Sequence, residues 1–224
     1  GEIPNFKCFG YYGGMPKLNL KNPEVEKYIT DVACYWIKEC DIDGWRLDVG
    51  DEISHFFWKN FRKAVKAVKK DMLIIGEIWH YAGDFLEGDE WDTVMNYDAF
   101  MEPLTWFLTG MEKHSDEFRG DLLGNPDAFT GALRHHMSRF NQNSLEIAMN
   151  ELSNHDHSRF LTRTNRRVGR IHTMGPEAAG ENINKGVFRE AVVFQMTWPG
   201  APTIYYGDEA GLCGLSLIHI SEPT

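Results

Sequence analysis

A chain of 224 residues, 42% hydrophobic and 25% charged, has the balance of a globular protein that buries a core, which excludes a disordered chain, a collagen-like repeat and a disulfide scaffold. Lys and Arg number 23 against 33 Asp and Glu, a net charge of −10, which argues against nucleic acid as a partner and leaves neutral or cationic ones. No run of about 18 apolar residues is present, so no membrane-spanning helix is expected. Cys8, Cys34, Cys40 and Cys213 form no C-x-x-C pair and read as buried free thiols. Unpaired thiols lean toward the cytoplasm, but the sequence opens at Gly1 with neither an initiator Met nor a signal pattern, so its localisation stays unknown.

Residues 1–21 are loop-like, with Gly10, Gly13, Gly14 and Pro16 set among aromatics. Asn22-Pro23-Glu24 is a helix start, and Val25, Ile29, Val32 and Trp36 continue it at helical spacing, predicting a helix over 23–39. Residues 42–49 read as a strand, 54–70 as a second helix with Phe57, Phe61, Ala64 and Val68 on one face, and 72–79 as a buried strand. A weaker strand is expected at 93–97 and a helical stretch near 100–109. Asn125-Pro126 caps a further helix carrying Phe129, Leu133, Met137 and Phe140. Residues 145–149 then read as a strand, 185–197 as a helix and 203–206 as a strand ahead of Gly207. Alternation of this kind is the α/β class, a parallel sheet of five strands with helices on its faces. The last ten residues, Leu215–Thr224 (LSLIHISEPT), break the pattern. They resemble the translation of a transposase adapter used in making sequencing libraries and are set aside from fold and function.

In parallel α/β folds ligands sit at the carboxyl ends of the strands, so polar residues there are the ones to question. Arg46 and Asp48 end the first strand on the same side, where the guanidinium can hold the carboxylate ionised, as a carboxylate nucleophile requires. Glu77 ends an apolar strand beside Trp79, where partial burial would raise its pKa and make it a proton donor. Asn154-His155-Asp156 adds an acid and an imidazole after the fourth strand. Two carboxyl groups with divided roles are what retaining glycoside hydrolysis needs, and a third can support the cationic transition state.

With those residues in view, the sequence resembles the α-amylase family of glycoside hydrolases over residues 1 to about 214. Asp43–Val49 (DGWRLDV) resembles the family's nucleophile motif, Gly76–His80 (GEIWH) its acid/base motif, and Asn154-His155-Asp156 with Arg159 its third. Gly200–Glu209 (GAPTIYYGDE) is similar to its eighth-strand signature, and all four stand in the family's order. Met15–Asn19 (MPKLN) is similar to the motif marking the neopullulanase and cyclomaltodextrinase branch.

The resemblance implies a partial (β/α)8 barrel, with strands four to eight and their helices. Residues 1–21 would be the remnant of the lobe inserted after the third strand, 22–214 the C-terminal part of the catalytic barrel, and 215–224 the adapter-derived tail. It implies Asp48 as nucleophile kept charged by Arg46, Glu77 as acid/base, and Asp156 as the carboxylate on the ring hydroxyls, with His155 and Arg159 lining the same subsite. His80, Asp51 and Glu52 fall where the branch shapes the acceptor side. Asp51 stands where that branch often carries Asn, which leaves acceptor preference open. The implied substrates are α-1,4-linked, and by extension α-1,6-linked, glucans: maltooligosaccharides, cyclodextrins or pullulan.

No cofactor is required by this reading. Calcium is an option for the longer parent enzyme, and so is a homodimer. His114, His135, His136, His157 and His172 have no metal spacing and read as structural or surface residues. The run Arg163–Arg170 reads as a solvated loop. An open five-stranded sheet would expose two edges and an apolar face, so the isolated polypeptide is expected to be inactive and poorly soluble. Two alternatives stand beside this one: a non-catalytic glucan-binding relative on the same barrel, and a general α-amylase or pullulanase. A serine hydrolase would need a Gly-x-Ser-x-Gly elbow, which the sequence lacks.

Overall fold

Asn22 accepts from the Glu24 amide at 2.9 Å with Pro23 at the first helical position, and the helix it starts, α1, runs Pro23–Cys40. This belongs to a computed structural model that describes residues 5–216. The chain divides into two compact units, one made of residues through Ile78 with Ala82–Val94, the other of Trp79–Tyr81 with the residues from Met95 on.

In the first unit, β1 (Gly44–Leu47), β2 (Leu73–Gly76) and β3 (Thr93–Val94) form a parallel sheet in the order β1-β2-β3. Helix α2 (His55–Val68), capped by Ser54, packs against α1 and buries Phe57, Trp58, Phe61 and Val65. Of the positions read from the sequence, Phe57 and Phe61 lie on this buried face, while Ala64 is half-buried and Val68 exposed. The strands are shorter than the expected 42–49, 72–79 and 93–97. Gly44 is needed at the strand start, since a Cβ there would lie 2.8 Å from the Leu73 carbonyl oxygen.

In the second unit a π-helical turn, Tyr97–Met101, runs into α3 (Glu102–Thr109). Then come α4 (Pro126–Met137), capped by Asn125, the short α5 (Gln142–Glu146), β4 (Met149–Glu151), α6 (Phe160–Arg163), α7 (Ile171–Met174), α8 (Lys185–Thr197) and β5 (Ala201–Thr203). Strand β5 pairs in parallel with β4. Phe107 stacks on Phe129 at 4.5 Å and Phe129 meets Phe194 at 5.6 Å, joining α3, α4 and α8 through aromatic side chains.

Several expectations are corrected here. Residues 145–149 are not a strand: Asn141 caps a helix over Gln142–Glu146, and the strand begins at Met149. The last strand is Ala201–Thr203 rather than 203–206. Phe140 lies past the end of α4. The four cysteines are free as expected, yet Cys40 is exposed and the others are only half-buried. Arg163 is fully buried rather than solvated, donating to Thr105 Oγ1 at 2.5 Å and to the Leu152 carbonyl, and burial pulls its pKa down to about 10. In the segment from residue 215, Leu215 packs on Ala178 and Ala179, and Ser216 is buried; residues 217–224 lie outside the described residues.

Candidate active site

In the first unit, register places Leu47 opposite Gly76, so Asp48 and Glu77 are the next residues at the carboxyl ends of two neighbouring strands. The Glu77 amide still donates to the Leu47 carbonyl at 2.9 Å. Arg46 spans both acids, with one guanidinium nitrogen 2.5 Å from Asp48 Oδ1 and the other 2.7 Å from Glu77 Oε1. The two carboxyl groups meet different surroundings: the Asp48 side chain is 72% exposed and that of Glu77 is 2% exposed. The buried Glu77 carboxyl group also accepts from the Val49 amide, 3.0 Å from Oε2.

The backbone between them is held in an uncommon shape. Val49 has φ 43° and ψ 48°, a left-handed conformation that a β-branched residue rarely adopts. It turns the chain so that its amide meets Glu77 and the next amide, that of Gly50, meets the Glu77 carbonyl at 3.0 Å. Beneath lies Trp91, stacked on Phe85 at 4.1 Å. A Cβ on Gly76 would come within 2.1 Å of the Trp91 ring, and one on Gly50 within 2.6 Å. Both glycines therefore let an indole support the backbone that carries the acids.

Asp51 and Glu52 follow in a short 3-10 turn, Gly50–Glu52. Glu52 is ion-paired with Lys17 of the Met15–Asn19 motif, whose ammonium also donates to the Glu52 carbonyl at 2.9 Å. The Gly10 amide donates to the same carboxylate at 3.2 Å. The Lys17 hydrogen bond, above all, pulls the Glu52 pKa below the usual range. Sequence reasoning placed Glu52 on the acceptor side without its lysine partner, because the two lie 35 residues apart.

In the second unit Asn154 shapes the loop that carries Asp156. Its side-chain oxygen accepts from the amides of Asp156 at 3.0 Å and His157 at 3.1 Å, while its amide group donates to Glu151 at 2.6 Å and to the Tyr97 hydroxyl at 3.0 Å. The Asp156 carbonyl pairs with His114 Nδ1 at 3.1 Å and accepts from Ser216 Oγ at 2.6 Å. Its carboxylate lies 3.5 Å from His155 Nε2, and His155 is exposed. His114 and His157 are buried among Trp79, Tyr97 and each other. Burial pushes the pKa of His114 down to about 4 and that of His157 down as well.

Arg159 is not an open subsite residue in this structure. It is buried, paired with Asp208 at 2.9 Å, and lies over Tyr205 and Tyr206 at 4.6 and 4.9 Å. Burial raises the Asp208 pKa against the pull of that arginine. The pairing joins the third motif to the fourth and was not visible in either motif alone. His80 is exposed on the second unit. Among the described residues no group of three His, Cys, Asp or Glu side chains is placed to hold a metal ion.

The profile of the alpha-amylase family (alpha amylase, catalytic domain) matches residues 5–222. The chain is 41% identical over 211 residues to a cyclomaltodextrinase of Geobacillus thermopakistaniensis (strain MAS1), covering 94% of this chain and 31% of that protein. It is 42% identical over 200 residues to neopullulanase 2 of Thermoactinomyces vulgaris, covering 89% and 29%. A solved cyclomaltodextrinase superposes with a TM-score of 0.77 at 37% identity, over 96% of this chain and 32% of that one. The chain thus spans about a third of the length of the relatives it matches, and its fold is of the (β/α)8-barrel type. By these matches the chain belongs to the alpha-amylase catalytic-domain family of glycoside hydrolases.

Proposed function

We propose that the chain carries the catalytic residues of a retaining α-glucan hydrolase. The observation that carries this reading is the Arg46 guanidinium shared by Asp48 and Glu77 at the ends of adjacent parallel strands. Neighbouring strands lie about 4.8 Å apart. Two carboxyl groups on such a pair suit the separation of about 5–5.5 Å used for a covalent glycosyl intermediate, which is short of what an inverting reaction needs to seat a water.

Asp48, exposed and held by Arg46, attacks the anomeric carbon, while Glu77 gives its proton to the departing glycosidic oxygen. Glu77, now a carboxylate, takes a proton from water as that water's oxygen displaces Asp48 from the sugar. Arg46 and the Val49 amide hold the Glu77 carboxyl group in place through both steps. Asp156 is the carboxylate on the ring hydroxyls, with His155 beside it. Arg159 acts through its buried pair with Asp208 to fix that loop. Asp51, Glu52 and His80 belong to the acceptor side, with Lys17 holding Glu52.

The substrates proposed are maltooligosaccharides, cyclodextrins and pullulan, on the support of relatives called cyclomaltodextrinase and neopullulanase. The five strands are proposed as the fourth to eighth of the barrel, with 1–21, 22–214 and 215–224 as the segments described above. No step is routed through calcium, and pairing of two copies rests on the family resemblance alone.

The test is a chimera in which this chain replaces the matched segment of the Geobacillus cyclomaltodextrinase, assayed on β-cyclodextrin, maltotriose and pullulan beside Asp48→Asn and Glu77→Gln. Hydrolysis lost by at least about a thousandfold in both variants is expected. A folded chimera that cleaves none of the three would overturn the reading.

A further inference from the structure

Asp156 is held by its backbone on both sides, while its carboxylate is left open. Its amide donates to Asn154 Oδ1 at 3.0 Å, and its carbonyl lies 3.1 Å from His114 Nδ1. A carbonyl can only accept, so Nδ1 carries the imidazole proton and His114 is the donor. Among the described residues the carboxylate has no closer partner than His155 Nε2, at 3.5 Å. Its direction is therefore set through the backbone that His114 and Asn154 hold.

The turn that carries His114, just past α3, grips the same loop twice more. The Ser158 amide donates to the Lys113 carbonyl and Ser158 Oγ to the His114 carbonyl, both at 3.1 Å. Trp79 stacks on the His114 ring at 5.7 Å and His157 meets it edge-on at 4.9 Å, so the imidazole is packed on two sides. The turn is anchored in its own right: the Gly169 amide donates to the Ser115 carbonyl at 2.7 Å and Arg170 Nε to Asp116 Oδ1 at 2.7 Å, and Lys113 is ion-paired with Glu102. The donor that meets Asp156 is thus fixed before any ligand arrives.

We propose that His114 is a positioning residue: its Nδ1–H holds the Asp156 carbonyl and so aims the Asp156 carboxylate at the ring hydroxyls of the bound glucosyl unit. This inference rests on the reading of Asp156 given above. His114 touches no reacting atom and acts through Asp156 alone. Hydrogen bonds to the ring hydroxyls strengthen in the transition state, so a misaimed carboxylate slows the reaction more than it weakens binding. A displacement of about 1 Å at such a group costs up to about a hundredfold in rate.

The test is a double-mutant cycle in the chimera described above, with 4-nitrophenyl α-maltoside as substrate because its good leaving group keeps slow variants measurable. His114→Leu removes the donor, His114→Asn keeps an N–H near the place of Nδ1, and Ser158→Ala removes one hydroxyl from the same grip. His114→Leu should lower kcat about ten- to a hundredfold with KM within about threefold, and His114→Asn should recover most of that loss. Ser158→Ala should lower kcat about three- to tenfold. In an Asp156→Ala background His114→Leu and Ser158→Ala should each cost no more than about a further twofold, whereas a general loss of structure would multiply through. Should His114→Leu not fold, Ser158→Ala carries the same comparison. Parent-like kcat in His114→Leu, a His114→Asn as impaired as His114→Leu, or losses undiminished in the Asp156→Ala background overturn the proposal and leave the reading of Asp156 standing. An Asp156→Ala chimera as active as the parent overturns that reading, and this inference with it.

Discussion

Gly76 precedes Glu77, and its missing side chain makes room for the Trp91 indole. Gly76→Ala would place a Cβ 2.1 Å from Trp91 Cε3, with further ring atoms at 2.4 and 2.5 Å. Trp91 cannot yield cheaply, because it is 1% exposed, stacked flat on Phe85 and edge-on to Trp58. Either the indole leaves its stack or β2 moves away from it, and overpacking of this kind costs about 1–3 kcal/mol. Urea denaturation at low micromolar concentration, followed by tryptophan fluorescence, reads that cost directly. Trp91→Leu alone should also destabilise the fold by opening a cavity. The double variant should cost less than the sum of the two singles, since the methyl then has space. A Gly76→Ala chain within 0.5 kcal/mol of the parent, or a double variant that is strictly additive, would refute the claim that Trp91 supports the strand end.

Removing the guanidinium in Arg46→Met leaves Glu77 buried without its cation, which should cost about 3 kcal/mol, and Glu77→Gln in the same chain should restore most of it when both are measured by denaturation at pH 7. His114 is neutral in the fold, with its pKa pushed from 6.5 down to about 4 by burial. Its contribution is therefore complete above about pH 6.5 and is lost as pH falls from there toward 4, by up to about 3 kcal/mol. The difference in stability between the parent and His114→Gln, measured from pH 7 to pH 4, should shrink accordingly. At Val49, held at φ 43°, substitution by glycine relieves a left-handed β-branched residue, so Val49→Gly should be neutral or up to about 1 kcal/mol more stable in a thermal melt.

The elements that the sequence made legible are those with a local physical signal. Asn22, Ser54, Asn125 and Asn184 cap α1, α2, α4 and α8, and each stands directly before an amphipathic run. Asp48 and Glu77 were legible because each is the first acid after a short strand, and the register makes them neighbours. Strand β4 was misplaced because Leu145, Ile147, Ala148 and Met149 form an apolar run that fits either period, whereas the strand itself contains Asn150 and Glu151. Those polar residues are buried by long-range bonds: Asn150 joins Asn96 at 2.8 Å and the Pro199 carbonyl at 2.9 Å. The same holds for the pairs Lys17 with Glu52 and Arg159 with Asp208, and for the burial of Arg163. Each is set by a partner 35, 49 or up to 58 residues away, which no local pattern announces.

The central claim is that Asp48 and Glu77, sharing Arg46, run a double displacement. The most direct measurement is the anomeric configuration of the first product released from an α-glucan by the chimera, followed by proton NMR before mutarotation. The account predicts the α-anomer, formed by two inversions at one carbon. A β-anomer at the earliest times would mean direct attack by water, and would contradict Asp48 as nucleophile.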